Sequence, residues 1–463
     1  MGTFGSARWL AGAVLASAIA AAHPAAALAA PPGVDAARVG PAGVGPAGVG
    51  TAGVGTAGAS VALDRWPATL TAISPHADLA AFYVARTPER DTWVYLQYVR
   101  DRTRGVTIGL GVPIPMALGG DPTVALSRDG RYATAYTDVP GAPLQLNVYD
   151  LRRQRYTPVS RDEAGHPADG VSGQPALSAD GRYTAFVSAA TNLVPGDTNG
   201  VQDVFVRDRI AGTTRRVSVN GHGHQANDES FWPSISADGR YVTFTSTAGN
   251  LVPGDTNRTR DVFIRDRLLG TTRRISLDSR GHQADQESFN GTISADGRYV
   301  VFGSDADNLV PGDTDAQPDV FVRDRRYGST HRVSVSSGGT QADGVSFVGR
   351  GSISGDGRYV TFGSYATNLV PGDTDRDQAD VFIHDLRYGT TRRFSMDRHN
   401  RPSRGSFDTA MISTDDRFLG FNSNAPNLGA APDDATSVDA FVRDRWGHVN
   451  YQVNLDTERP AGR

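Results

Sequence analysis

The chain has no cysteine and no lysine among its 463 residues. The first absence excludes disulfides and an acylated N-terminal cysteine, so the fold rests on burial and backbone pairing alone. The second leaves arginine and histidine as the only basic side chains. With heavy Ala and Gly usage this reads as the coding bias of a GC-rich bacterium. Long apolar runs are missing too: beyond the N-terminus no stretch approaches the ~18 residues of a membrane helix. The net charge of −4 gives no global pull toward nucleic acid.

At the N-terminus Arg8 precedes an apolar run from Trp9 to Ala22, and Ala27-Leu28-Ala29 offers a small-residue cleavage site. Residues 1–30 therefore read as a secretory signal peptide. Residues 31–60 repeat Gly-Pro-Ala-Gly-Val-Gly and Gly-Thr-Ala-Gly-Val-Gly. They have too little bulk to bury and read as a flexible linker. The folded part is expected over residues 61–463.

Repeats decide its architecture. Ser178-Ala179-Asp180-Gly181-Arg182-Tyr183 recurs from Ser236, Ser294 and Ser354, with worn copies from Ser74, Ser127 and Ser413. The anchors lie 53, 51, 58, 58, 60 and 59 residues apart. Each unit reads as four short strands rich in Val, Phe, Tyr and Thr, with turns every 8 to 14 residues. The Asp-Gly pair predicts a tight hairpin with positive φ at both turn positions. Seven such units predict an all-β fold, a seven-bladed β-propeller of four-stranded antiparallel blades. Sandwich domains are larger than this unit, usually about 100 residues.

The Ser-Ala-Asp-Gly-Arg-Tyr hairpins, followed by strands such as Asp203-Val204-Phe205-Val206-Arg207-Asp208, resemble the WD40-like repeat of TolB-type propellers. The resemblance runs from about Thr71 to Asn454 and implies a propeller. It implies little about activity, because such blades serve many roles. The α/β domain that precedes the blades in TolB-type proteins is replaced by the Gly/Ala/Pro tract. There is no G-x-S-x-G nucleophile motif and no hydrolase domain.

Two faces follow from blade topology. The short-turn face is expected to carry a cross-strand Arg–Asp lattice, with Arg182, Asp208 and their counterparts, and with Arg215, Arg216, Arg273 and Arg274 nearby. The long-loop face carries the acidic repeats. Its oxygen donors, at spacing 0, 2 and 6, suit a hard cation such as calcium. The candidate ligands are Asp197, Asn199 and Asp203; Asp255, Asn257 and Asp261; Asp313, Asp315 and Asp319; and Asp373, Asp375 and Asp380. Asx-turns with a tie back to the third strand are the alternative for the same residues. His222, His224 and His282 sit in repeat loops and form no metal-ligand set.

Carboxylate pairs recur in every blade, which argues against a unique acid–base set. The expected function is a secreted, monomeric, non-catalytic binding propeller. It takes a protein or cell-surface glycan on the long-loop face and draws stability from calcium. It has no nucleic-acid partner and no membrane span in its mature form. One alternative is an extracellular glycan lyase or hydrolase with a site at the central channel, marked by unmatched residues such as Arg401, Arg404 and Asp408. The other is a structural protein of the envelope, associated with the cell wall.

Overall fold

The computed structural model describes residues 67–86, 93–116, 121–374, 376–403, 405–428 and 438–454. The expected signal peptide and linker lie outside the described residues. Residues Leu63–Arg463 form one compact unit of seven antiparallel sheets, each built from a contiguous piece of chain. These are the seven blades of a β-propeller. Among the described residues there is no α-helix.

The third blade shows why the repeat folds this way. Its strands are Ser172–Leu177, Tyr183–Ser188, Asp203–Asp208 and Thr213–Arg216. The third strand is buried along its whole length because both of its faces meet a neighbouring blade. Phe205 stacks near Phe186 and packs with Tyr136 and Leu146 of the second blade. Val204 and Val206 point the other way, onto Phe244 and Phe263 of the fourth. Period-two alternation between two buried faces therefore glues each blade to both neighbours.

The Ser-x-Asp-Gly-Arg-Tyr motif is a local hydrogen-bond device. Ser178 Oγ donates to Asp180 at 2.7 Å and accepts from the Tyr183 amide at 2.9 Å. Asp180 also accepts the Arg182 amide at 2.9 Å. The turn differs from the expected form: only Gly181 has positive φ, at 65°. Asp180 stays outside the left-handed region, its carboxylate committed to the turn's own amide. A Cβ at Gly181 would lie 2.5 Å from the Tyr132 ring, so the blade-to-blade approach also requires glycine.

These turns share one face. Asp129 N donates to Ala179 O, Ala179 N to Ala237 O and Ala237 N to Ala295 O, at 2.9–3.1 Å, linking the hairpins of consecutive blades. The second blade departs from four strands. It keeps Tyr132–Thr137, Gln145–Asp150 and Arg155–Pro158, and its inner segment makes only the bridge Leu126–Ala133. Pro122 has no amide to give. Side chains take over instead: Gln97 donates to Pro122 O at 2.9 Å, and Thr134 Oγ accepts the Ala125 amide at 2.8 Å.

Candidate functional site

On the short-turn face the Arg–Asp lattice is present in six blades: Arg131–Asp150, Arg182–Asp208, Arg240–Asp266, Arg298–Asp324, Arg358–Asp385 and Arg417–Asp444, at 2.6–2.8 Å. Burial pushes the Asp208 carboxyl up, but Arg182 and the Ala211 and Ile210 amides outweigh it and bring it down to about 2.

Arg216 and Arg274 are not in this lattice. They stand at the far end of the fourth strand, among the long-loop carboxylates. Four residues of alternation carry the chain across the blade, so the two ends of this strand serve opposite faces. Arg216 Nη2 lies 3.0 Å from Asp197 and its Nε 3.5 Å from Asp203. Asn199 Nδ2 donates to Asp203 and to Ala226 O, each at 3.0 Å, and Ser218 Oγ donates to Asp203 at 2.5 Å. The arrangement repeats with Asp255, Asn257 and Asp261 around Arg274, and with Asp373 and Asp380 around Arg393. Asp375 lies outside the described residues. The two long-loop motifs meet on one face, since Gln225 donates to Thr198 Oγ at 2.8 Å and accepts from Arg216.

The fifth blade is different. Asp315 replaces the asparagine, as Asp375 does in the sequence of the sixth blade, and adds a third carboxylate beside Asp313 and Asp319, which pair with Arg332 at 3.4 and 2.9 Å. Oxygens of Asp313, Asp315 and Asp319 all lie within 4.8 Å of one another, the one such group among the described residues. Gln341 Nε2 donates to Asp313 at 2.9 Å and Asp315 at 2.6 Å. Burial, and then the neighbouring carboxylates, push Asp319 up to about 7 against the pull of Ser334 and Arg332.

The residues that break the repeat gather instead in the axial channel. The inner strand of the sixth blade reads Ser346-Phe347-Val348-Gly349-Arg350-Gly351-Ser352-Ile353, two residues longer than Ser288-Phe289-Asn290-Gly291-Thr292-Ile293 in the fifth. The extra length shortens the paired strand to Ser346–Phe347 and frees Arg350 to cross the channel. Its Nη1 donates to Pro175 O of the third blade at 2.9 Å. Its Nη2 stands 3.8 Å from Asp121, which leads into the second. A third of the Arg350 side chain, 34%, still faces open space.

Around this bridge stand tyrosines from other blades. Tyr136 is 1% exposed, and its hydroxyl has no hydrogen-bond partner. A Cβ at Gly173 would lie 3.0 Å from Asp121 and 3.5 Å from that hydroxyl, so glycine keeps the space beside it free. Tyr83 and Tyr95 meet edge to face at 5.2 Å. Burial raises the Tyr83 hydroxyl pKa, and Asp121 and Asp408 add to the rise. Asp408 raises Tyr365 in the same way, after burial. The carboxylates of Asp121 and Asp408 thus act on one cluster. Asp408 also accepts from Asn422 at 2.8 Å.

Of the three expected repeat-breakers, Asp408 is in this cluster. Arg401 pairs at 2.8 Å with Asp397 and is 70% exposed, and Arg404 lies outside the described residues. Arg350, Asp121 and the tyrosines were not singled out by the sequence reading. The one visible trace of Arg350 is the 60-residue spacing before Ser354.

A seven-bladed propeller of TolB-like repeats, with one asymmetric cluster in its channel, is what the fold and site define. No family model and no curated protein matches the chain; solved structures do. It is similar to the β-propeller domain of the Trilobed protease from Pyrococcus furiosus, at 10% identity and TM-score 0.51 over 85% of this chain and 100% of that one. A puromycin-hydrolysing peptidase of Mycobacterium tuberculosis gives 14% and 0.50, over 86% and 55%. TolB from Acinetobacter baumannii gives 15% and 0.39, over 81% and 79%. At these identities the first two likenesses establish the fold alone.

Proposed function

We propose that this chain is a secreted, non-catalytic binding propeller whose ligand, a protein or a cell-surface glycan, enters the long-loop mouth of the channel. The observation that carries the reading is Arg350, set across the channel beside Asp121 and the unpartnered hydroxyl of Tyr136. The Arg350 guanidinium and the Asp121 carboxylate, 34% and 20% exposed, present donors and acceptors to an oxygen-rich ligand, and the Tyr136 hydroxyl is sealed behind them. Raised pKa values keep the Tyr83 and Tyr136 hydroxyls protonated. They are therefore hydrogen-bond donors and not acceptors of a proton. Several blades contribute, so the site exists only in the closed ring.

Capture from culture and cell-wall material by the full chain, compared with Arg350→Ala and Tyr136→Phe, tests this. The expected result is loss of the captured protein or glycan in Arg350→Ala and its retention in Tyr136→Phe, whose hydroxyl is sealed from solvent. Capture that survives both substitutions places the binding surface elsewhere. The second reading, a glycan-active enzyme, takes support from the same cluster because it is unrepeated. It would be established by polysaccharide turnover that disappears in Asp121→Asn or Asp408→Asn.

A further inference from the structure

We propose that the short-turn face, opposite the channel mouth, docks onto an anionic lipid bilayer. The hairpins between the third and fourth strands end in large apolar residues in five consecutive blades. They are Ile210, Leu268, Leu269, Tyr327, Tyr388 and Trp446, each 64–74% exposed. These turns point the same way as the Asp-Gly hairpins, to which they are tied. Arg209 N donates to Arg182 O, Arg267 N to Arg240 O, Arg325 N to Arg298 O and Arg445 N to Arg417 O, all at 2.9 Å. The arc of tips is therefore fixed to one face of a rigid ring. Five consecutive blades thus present an apolar tip on the same face.

Charge chooses the partner. The face comprises residues 74–79, 127–132, 178–183, 236–241, 294–299, 354–359 and 413–418, with 100–107, 150–155, 207–213, 265–271, 323–329, 384–390 and 443–449. These segments hold 23 arginines and 15 aspartates, an excess of 8 positive charges, although Arg100, Arg207 and Arg443 among them are buried. The whole chain carries −4, so the remainder carries −12. The arginines beside the tips, Arg326 and Arg387, are exposed and lie over Tyr327 and Tyr388 at 5.7 and 5.5 Å. Aromatic rings flanked by arginine suit the headgroup layer, where one end of the pair is apolar and the other wet. A polyanionic polymer would use the arginines but has no place for the exposed leucine pair, Leu268-Leu269.

Co-sedimentation of the full chain with vesicles tests the proposal, using phosphatidylcholine alone and phosphatidylcholine with about 30% phosphatidylglycerol. The expected result is binding to the anionic vesicles, at least ~10-fold weaker binding to neutral ones, and weakening as salt shortens the screening length to about 8 Å. Leu268→Ser with Leu269→Ser and Trp446→Ser should lower binding by ~10-fold or more. Arg326→Gln with Arg387→Gln should lower it on anionic vesicles only. All the variants carry the same N-terminus, so a loss belongs to the turns, and exposed turn substitutions leave the melting temperature as it is. Absence of binding at low salt overturns the proposal. So does binding that the apolar variants leave intact. Equal binding to soluble polygalacturonate, untouched by the apolar variants, would assign the face to a polymer instead.

Discussion

Arg216 and Asp197 face each other at 3.0 Å with side chains only 7% and 4% exposed. Two further carboxylate oxygens, those of Asp203, complete a sealed cluster with one cation and two anions. Removing the cation strands both anions. Arg216→Met should therefore cost about 3–5 kcal/mol in urea unfolding. Adding Asp197→Asn and Asp203→Asn should return part of it. On the other face Arg182 is 38% exposed, and Arg182→Gln should cost about 1 kcal/mol or less. Equal costs for the two arginines would refute the distinction between sealed and open pairs.

Stability should fall between about pH 5 and pH 8. Burial is the main cause that raises Asp261 to about 6, Asp319 to about 7 and Asp416 to about 6. A raised acid binds its proton in the folded chain where the unfolded chain has released it. Its contribution is full below the ordinary carboxylate value and is lost as pH rises through 6 and 7. Asp208, lowered to about 2, works the other way and is lost only as pH falls below about 4. Denaturation midpoints at the two pH values check this, and Asp315→Asn should narrow their difference.

A calcium response should come from the fifth-blade loop rather than from those of the third and fourth. Around Asp197 and Asp255 an arginine faces two carboxylates and an asparagine. Beside Arg332 stand three carboxylates, Asp313, Asp315 and Asp319. Melting temperature should rise between chelator and millimolar calcium, the range of weak extracellular sites. Asp315→Asn should abolish the rise, and Asp197→Asn should leave it in place. No rise in the wild-type chain retires the metal reading altogether.

The blade count, the strand order and the face carrying Asp180-Gly181 were legible because each is repeated: a motif seen seven times identifies its own period. The lattice pair Arg182–Asp208 was legible for the same reason. Arg216 was misplaced because a residue's position along a four-residue strand, not its neighbours in sequence, decides which face it serves. Arg350 was missed because its partners, Pro175 and Asp121, are more than 170 residues away and belong to other blades. Only ring closure brings them together, and no local pattern encodes it. The loss of the inner strand in the second blade was not legible, since Pro175 and Pro233 sit inside the inner strands of the third and fourth blades and a proline there does not by itself break one.

Every blade is made from one uninterrupted stretch of chain, the first from Ala68–Pro115 segments and the seventh from Phe407–Gln452 segments. Among the described residues no strand is lent across the join. The seam is held by Leu70, Phe82 and Val84 against Met411, Val442 and Val453, by Leu70 N donating to Asn422 at 2.7 Å, and by Arg102 stacked on Tyr451 at 4.0 Å. The ring is thus a clasp rather than a weave. It can part at one place without unzipping a sheet, and the start and finish of the fold lie side by side. A permuted chain that opens at another inter-blade loop should therefore close into the same ring.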